Sequence, residues 1–171
     1  AVRDRQRGIH ATPLHRDGRI YLGAYDGFLY CVEGQSGQLI WEKACGQWIG
    51  SSPIGDKDRL YVGVEFGELG GALLALDPDD GSSIWESRAG HYVHSTPCLA
   101  PDKVIFAAND GVVRCLESSQ GRPLWSFYSH GPVQGSLSAD QEFCYVASGD
   151  GVLYALDLER GRVAWQRRLS R

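Results

Sequence analysis

Short apolar runs, each four to six residues long, follow one another along the whole chain and are separated by turns rich in glycine and aspartate. One set of runs covers 20–23, 60–63, 104–107 and 144–147, and a second set covers 27–32, 71–76, 111–116 and 151–156. In three of the four repeats, Asp26, Asp110 and Asp150 stand directly before the glycine that opens the second run. Asp-Gly between two apolar runs is a strong signal for a β-hairpin. The pattern predicts an all-β chain made of antiparallel hairpins.

The apolar runs belong to a longer sequence repeat. A tryptophan ends each repeat, and the spacings are 44, 40 and 40 residues: Trp41, Trp85, Trp125 and Trp165. Four residues before each tryptophan stands a glycine: Gly37, Gly81, Gly121 and Gly161. An acid precedes each glycine by four residues (Glu33, Asp77, Glu117, Asp157), and a small residue precedes each acid by two (Cys31, Ala75, Cys115, Ala155). Four copies in phase indicate a repeat architecture.

Each repeat of about 40 residues contains four short strands, here called A to D in chain order. Strand A begins near a Thr-Pro or Ser-Pro pair in three repeats, strands B and C are the two apolar runs, and strand D carries the tryptophan. Four antiparallel strands per repeat are typical of a β-propeller blade, and such a blade must stack on neighbours to bury its faces. The sequence predicts one domain, 1–171, with four four-stranded antiparallel blades at about 9–46, 47–90, 91–130 and 131–171.

The repeated tryptophans and glycines are predicted to have a structural role in joining blades. We expect each indole ring to lie over the small residue of strand C and the turn glycine of a neighbouring blade, because both leave a flat place for a large ring. Aromatic packing of this kind adds about 0.5–1.5 kcal/mol beyond area burial. Cys31 and Cys115 take the place of Ala75 and Ala155, so we interpret them as small buried fillers.

Composition narrows the function classes. The formal net charge is −4 and the lysines and arginines are scattered, so a nucleic-acid surface is not indicated. No apolar run is long enough to span a membrane. The five cysteines are odd in number and include no Cys-x-x-Cys pair, which argues against a zinc ribbon and a disulfide framework. Unpaired cysteines favour the cytoplasm, with the periplasm as the alternative.

The repeat resembles the tryptophan-docking motif of the PQQ-like propellers, a family that includes quinoprotein alcohol dehydrogenases and a propeller lipoprotein of bacterial outer-membrane assembly. The resemblance covers 9–171, and segments 75–85 and 155–165 match the motif fully. It implies the propeller fold. Family dehydrogenases hold PQQ and calcium with a disulfide between adjacent cysteines and with Glu, Asn and Asp ligands. This chain has no Cys-Cys pair, and Asn109 is its only asparagine.

These observations favour a non-catalytic scaffold or binding module that recognises a protein partner or a ligand and has no cofactor. A fragment of a PQQ-dependent dehydrogenase is the alternative. The resemblance implies seven or eight blades in a full ring, so four blades are interpreted as half of one. A compact four-bladed ring, a longer parent chain and a homodimer that closes an eight-bladed ring all stay open at this point.

One predicted recognition patch lies on the face shared by the B–C and D–A loops. Its candidates are Trp48, Glu65, Phe66, Glu68, Tyr92 and His130. Trp48 is the one tryptophan outside the repeat position, and blade 2 has four extra residues in its B–C loop, where 64–70 replaces 24–26. An insertion in a single blade often marks a binding face. An ordinary loop with exposed aromatic side chains is the alternative.

A second candidate set lies at the start of strand A, which lines the central channel of a propeller. Three residues before the proline of strand A, or its equivalent, stand His10, Gly50, His94 and Gln134. We interpret His10, His94 and Gln134 as a polar channel ring. Two histidines without an acid favour pore-lining groups over a metal site. No metal and no catalytic residue are therefore predicted.

Overall fold

The computed structural model describes residues 8–68 and 70–170. Within these ranges every regular element is a β-strand, and the sixteen strands form four four-stranded antiparallel sheets with their strands in chain order. The predicted all-β chain of four four-stranded blades is confirmed. No helix in the same ranges is long and apolar enough to cross a membrane.

Blade 1 comprises β1 (Leu14–Arg16), β2 (Arg19–Gly23), β3 (Phe28–Glu33) and β4 (Leu39–Ala44). Blade 2 comprises β5 (Ile54–Gly55), β6 (Leu60–Glu65), β7 (Gly71–Leu76) and β8 (Ser83–Ala89). Blade 3 comprises β9 (Cys98–Ala100), β10 (Lys103–Ala107), β11 (Val112–Glu117) and β12 (Pro123–Tyr128). Blade 4 comprises β13 (Ser138–Ala139), β14 (Phe143–Ala147), β15 (Val152–Asp157) and β16 (Val163–Arg168).

The outer hairpin has the same register in every blade. In blade 2, Ala75 of β7 is the cross-strand partner of Trp85 of β8, and the register shifts directly after Ala75. The corresponding pairs are Cys31–Trp41, Cys115–Trp125 and Ala155–Trp165. A small residue opposite each tryptophan leaves room for the indole ring on the face of the sheet, and the irregularity adds local twist.

The C–D turn explains why a glycine recurs four residues after the acid. The amide of Gly81 donates a hydrogen bond of 2.9 Å to the carbonyl of Asp77, and Gly81 has a φ of 72°. The equivalent glycines of the other blades have φ between 66° and 73°. This left-handed conformation costs most other residues about 1–2 kcal/mol, whereas glycine adopts it freely.

The apolar core consists of three layers, each between two adjacent blades. Blade 2 has a neighbour on both sides, and every residue of β6 and β7 is buried. Blade 4 has a neighbour on one side only, and every residue of β16 is exposed. The four described blades therefore form an open array with one free face at each end.

Each inner tryptophan crosses to the following blade. The indole N–H groups of Trp41, Trp85 and Trp125 donate to the carbonyls of Pro78, Ser118 and Leu158, at 3.2, 3.1 and 3.0 Å. A Cβ atom placed on Gly81, Gly121 or Gly161 would lie 3.0, 2.7 or 2.3 Å from the ring of the preceding blade's tryptophan. The turn glycine thus provides the flat place under the ring, one blade further along.

Candidate recognition site

The D–A segments and the B–C loops lie side by side because one backbone hydrogen bond joins them in every blade. In each blade, the amide of a residue at or just after the end of strand B donates to the carbonyl of a residue that precedes strand A. The four bonds are Tyr25–Gly8 at 3.0 Å, Glu65–Trp48 at 3.0 Å, Asn109–Tyr92 at 3.0 Å and Gly149–Pro132 at 2.8 Å. The repeat therefore places these eight residues on one face of the array.

Two aromatic side chains stand together on this face. Trp48 and Tyr92 occupy equivalent positions before strand A of blades 2 and 3, and their ring centroids are 6.4 Å apart with the planes at 79°. This edge-to-face arrangement is favourable for aromatic rings. The amide of Trp48 also donates to the carbonyl of Glu65 at 3.3 Å, so backbone bonds run in both directions between Trp48 and Glu65. Both aromatic residues are half-buried and keep part of their surface open to solvent.

A buried acid lies beside the aromatic pair and reaches across the junction between blades 2 and 3. The carboxylate of Glu65 accepts a hydrogen bond of 2.7 Å from Nδ1 of His94. The side chain of Glu65 is 8% exposed, whereas that of His94 is 38% exposed. The hydrogen bond to Glu65 raises the pKa of His94 above its ordinary value, although burial acts in the opposite direction. The sequence alone predicts that these two residues belong to separate candidate sets.

Gly50 makes room for this acid–imidazole pair. A Cβ atom at position 50 would lie 2.5 Å from Cε1 of His94 and 3.2 Å from Oε1 of Glu65. The equivalent positions of the other blades carry His10, His94 and Gln134. Gly50, which stands at the equivalent position of blade 2, thus leaves the space that the imidazole of His94 occupies.

Blade 1 extends the cluster with a residue that the sequence analysis missed. Burial raises the pKa of Tyr25, and the negative charge of Glu65 adds to that increase. The ring of His10 packs edge-to-face on Tyr25 at 4.6 Å. Tyr25 occupies the same repeat position as Glu65, so aligning the loops by their shared backbone bond would have identified it. We call Tyr25, Trp48, Glu65, Tyr92 and His94 the recognition cluster.

The remaining predicted site residues have their contacts elsewhere. The ring of Phe66 lies 5.6 Å from the guanidinium of Arg88 in β8. Glu68 is exposed in the blade 2 loop with a φ of 58°. His130 is exposed, has a φ of 62° and packs edge-to-face on Tyr128. Gln134 is exposed at the start of the last blade. The structure thus brings four of the nine predicted residues together (Trp48, Tyr92, Glu65, His94) and leaves five outside the cluster, of which His10 packs against its member Tyr25.

The comparisons with known proteins concern the family and the fold. The family model described as "Outer membrane protein assembly factor BamB", a PQQ-like repeat model, matches residues 3–68 and 64–171. The chain belongs to the PQQ-like propeller family. No curated protein matches it with significant sequence similarity.

Solved structures of PQQ-like propellers and related folds superpose on nearly the whole chain. BamB from Moraxella catarrhalis is 20% identical with a TM-score of 0.78, over 95% of this chain and 49% of that one. The computationally designed Ika8 protein is 18% identical with a TM-score of 0.80, over 92% and 48%. Quinohemoprotein alcohol dehydrogenase ADHIIG from Pseudomonas putida HK5 is 20% identical with a TM-score of 0.76, over 96% and 34%. The chain spans about half the length of the first two and a third of the last.

Some PQQ-like propellers hold PQQ and calcium, and the oxygen donors around Asn109, the only asparagine of the chain, do not fit such a site. Asn109 has a buried Oδ1 atom without a hydrogen-bond partner. The neighbouring carboxylate of Asp110, however, is paired with the guanidinium of Arg114 at 2.6 Å and also accepts the amides of Gly90 and Val112. A cation beside Asp110 disfavours a second cation there. Across 8–68 and 70–170, no group of three or more His, Cys, Asp or Glu residues is arranged to hold a metal ion.

Proposed function

We propose that these four blades form a non-catalytic recognition module that binds a segment of a protein partner through the recognition cluster. The observation that carries the proposal is the edge-to-face pair of Trp48 and Tyr92, half-buried beside the carboxylate of Glu65. Large amphipathic rings next to a fixed polar group are the residues that dominate binding energy at protein interfaces.

The chemistry of the cluster favours a partner segment with a basic or hydrogen-bond-donating side chain. A carboxylate has two oxygens and accepts several hydrogen bonds, and His94 supplies one of them to Glu65. Trp48 and Tyr92 provide ring faces and edges on which a cationic group can pack. The net charge of −4 adds a favourable long-range attraction to a basic segment.

The family match supports a role in protein association, because the matching model is described as an assembly factor. The alternative, a fragment of a PQQ-dependent dehydrogenase, has the structural similarity to the quinohemoprotein alcohol dehydrogenase in its favour. Adding PQQ with calcium discriminates the two: a recognition module leaves the quinone absorbance unchanged, whereas a quinoprotein fragment shifts it.

The recognition cluster can be tested with a phage-displayed library of random peptides, panned on the wild-type chain. We expect enriched peptides to share a lysine or arginine, and the affinity of a synthetic enriched peptide to fall about five- to thirtyfold in Trp48→Ala and Tyr92→Ala. Tyr128→Ala is the matched control, because Tyr128 is an aromatic residue that is 55% exposed and lies outside the cluster. Failure to enrich any peptide, or an equal loss in the control, would contradict the proposal.

The predicted homodimer concerns a different part of the molecule, the free faces of blades 1 and 4. It stays a prediction at this point, and the recognition cluster does not depend on it.

A further inference from the structure

The three inner junctions share one design. The tryptophan of one blade lies over the turn glycine of the next, and its indole N–H donates to the carbonyl of the residue directly after the repeat's acid. The turn glycine beneath the ring is buried or half-buried at all three junctions. A fourth junction of this design would join a free tryptophan to a free turn glycine.

The two ends of the array carry these two halves. Gly37 is the turn glycine of blade 1; it is exposed, and a Cβ atom placed on it would meet nothing within 4 Å. Trp165 is the repeat tryptophan of blade 4 and is 44% exposed. The carbonyl that corresponds to those of Pro78, Ser118 and Leu158 is that of Gly34.

Trp165 already has the orientation of a docked tryptophan. Its ring lies 6.0 Å from that of Tyr145 with the planes at 42°. The docked Trp41 and Trp85 lie 5.9 and 5.7 Å from their own strand-B tyrosines, at 47° and 44°. Docking onto a further blade therefore requires no rotation of the indole ring, which limits the entropy lost on association.

The rest of each end face is also apolar. In blade 1, Tyr21 and Leu29 belong to the core shared with blade 2. Alternate residues of a strand point to opposite faces, so Ile20, Leu22 and Val32 belong to the free face, where they are half-buried. Their counterparts in blade 2 are Leu60, Val62 and Leu76, each 0% exposed. The free face of blade 1 thus has the same character as a face that a neighbouring blade covers.

Blade 4 presents the complementary surface. Tyr145 and Leu153 are half-buried, whereas their counterparts Tyr61 and Leu73 in blade 2 are 0% exposed against blade 3. On strand β16, Arg167 is the cross-strand partner of Leu153 and therefore lies on the same free face, and the C–D turn of blade 1 carries Glu33. The free face of blade 4 is therefore apolar with a basic edge, and that of blade 1 is apolar with an acidic turn.

We propose that two copies of this chain close one eight-bladed ring. The Trp165 indole of each copy lies over Gly37 of the other and donates its N–H to the carbonyl of Gly34. One chain contributes both halves of the junction at opposite ends, so two copies related by a twofold axis bury all four free faces. The chain also covers about half of two structures with the same blade architecture. This inference goes beyond the recognition function and stands without it.

The experiment is light scattering on the wild-type chain and on Gly37→Asn, which puts a side chain where the indole must lie. Gly18→Asn is the matched control: Gly18 also has a positive φ, 75° against 73°, and open space around its Cβ position. The equivalent position in blade 2 is Asp58, so an inner junction tolerates a side chain there. We expect wild type and Gly18→Asn at twice the chain's 18.8 kDa. We expect Gly37→Asn to dissociate at least about thirtyfold more readily.

A mixing experiment separates this head-to-tail arrangement from any other dimer. Trp165→Ala and Gly37→Asn each damage both junctions of their own homodimer, but a heterodimer of the two variants retains one undamaged junction. We expect the equimolar mixture to associate more tightly than either variant alone, with circular dichroism showing that both are folded. A wild-type chain that stays monomeric, for example because further blades of a longer chain are the natural neighbours, overturns the proposal, as does a mixture no tighter than its components.

Discussion

Trp125 and Trp165 occupy the same place in consecutive repeats, yet their surroundings differ. Trp125 lies over Gly161 and donates to the carbonyl of Leu158 at 3.0 Å, whereas Trp165 has no following blade among the described residues and is 44% exposed. The two motifs have the same spacing and differ only in the residues that fill the small and acidic positions, so we attribute the contrast to the neighbouring blade. The stability of a repeat protein is the sum of the intrinsic stability of each repeat and of the junctions between repeats, and the docked tryptophan belongs to the junction.

We therefore expect the largest difference in stability between two variants that lose the same tryptophan side chain, one at an inner blade and one at the end blade. Trp125→Ala removes a docked ring and leaves the carbonyl of Leu158 without its donor, so it should lower the free energy of unfolding by about 3 kcal/mol. Trp165→Ala, measured at a concentration where the chain is monomeric, should lower it by less than about 1 kcal/mol. Urea unfolding followed by circular dichroism measures both.

The prediction has an internal check, since both substitutions remove the same side chain from the same position of the motif. Equal losses in the monomer would mean that the indole stabilises its own blade and not the junction. In that case the difference in exposure between the inner and end tryptophans would not correspond to a difference in the free energy of unfolding.

A second pair of substitutions examines the glycine side of the junction. Gly161→Ala places a Cβ atom 2.3 Å from Cε3 of Trp125 at a φ of 66°, so overpacking and backbone strain add. We expect a loss of about 2–4 kcal/mol in the free energy of unfolding. Gly18→Ala has a similar φ of 75° but meets nothing within 4 Å, and should lose only about 1 kcal/mol from strain. Thermal or urea unfolding of the two variants measures this difference. Equal losses in the free energy of unfolding would mean that backbone strain at positive φ causes the whole loss and that the contact with Trp125 adds nothing.

The blades could be predicted from the sequence because each step of the motif uses one residue class at a nearly constant spacing. Each position of the motif meets one local requirement. The small residue leaves a flat place, the acid provides the acceptor of the turn, the glycine adopts a positive φ, and the tryptophan supplies the large ring. The confirmed fold follows from these requirements. The exposed state of Trp165 depends on a neighbour, which the motif itself does not encode.

The recognition cluster could be predicted only in part. Trp48 is conspicuous because it breaks the tryptophan spacing, and Tyr92 occupies the equivalent position. Glu65 and His94 were placed in separate sets because they are 29 residues apart and belong to different blades. The longer loop of blade 2 also concealed that Glu65 and Tyr25 share one repeat position. Periodicity indicates which face of a blade a residue occupies, but not which side chains meet across a junction.

The contact between Glu65 and His94 distinguishes the junction between blades 2 and 3 from the proposed closing junction. At a junction between blades 4 and 1 the same two positions carry Gly149 and His10, so that junction has no acid to pair with its histidine. The contribution of this polar contact to the stability of the junction between blades 2 and 3 is the smallest effect that we predict, and it should depend on pH.

The folded-state pKa of His94 is raised by its hydrogen bond to Glu65. A raised pKa gives stability that is fully present below the ordinary value of about 6.5 and is lost as the pH rises through the folded-state pKa. In Glu65→Gln the neutral amide no longer favours the imidazolium, so an NMR titration of the His94 ring should give a lower pKa than in the wild type. Gly50→Ala, which displaces the ring without changing the acid, should shift the His94 pKa in the same direction. If the pKa of His94 is unchanged in both variants, the 2.7 Å contact does not govern its titration, and the inner junction between blades 2 and 3 has no pH-dependent advantage over the closing one.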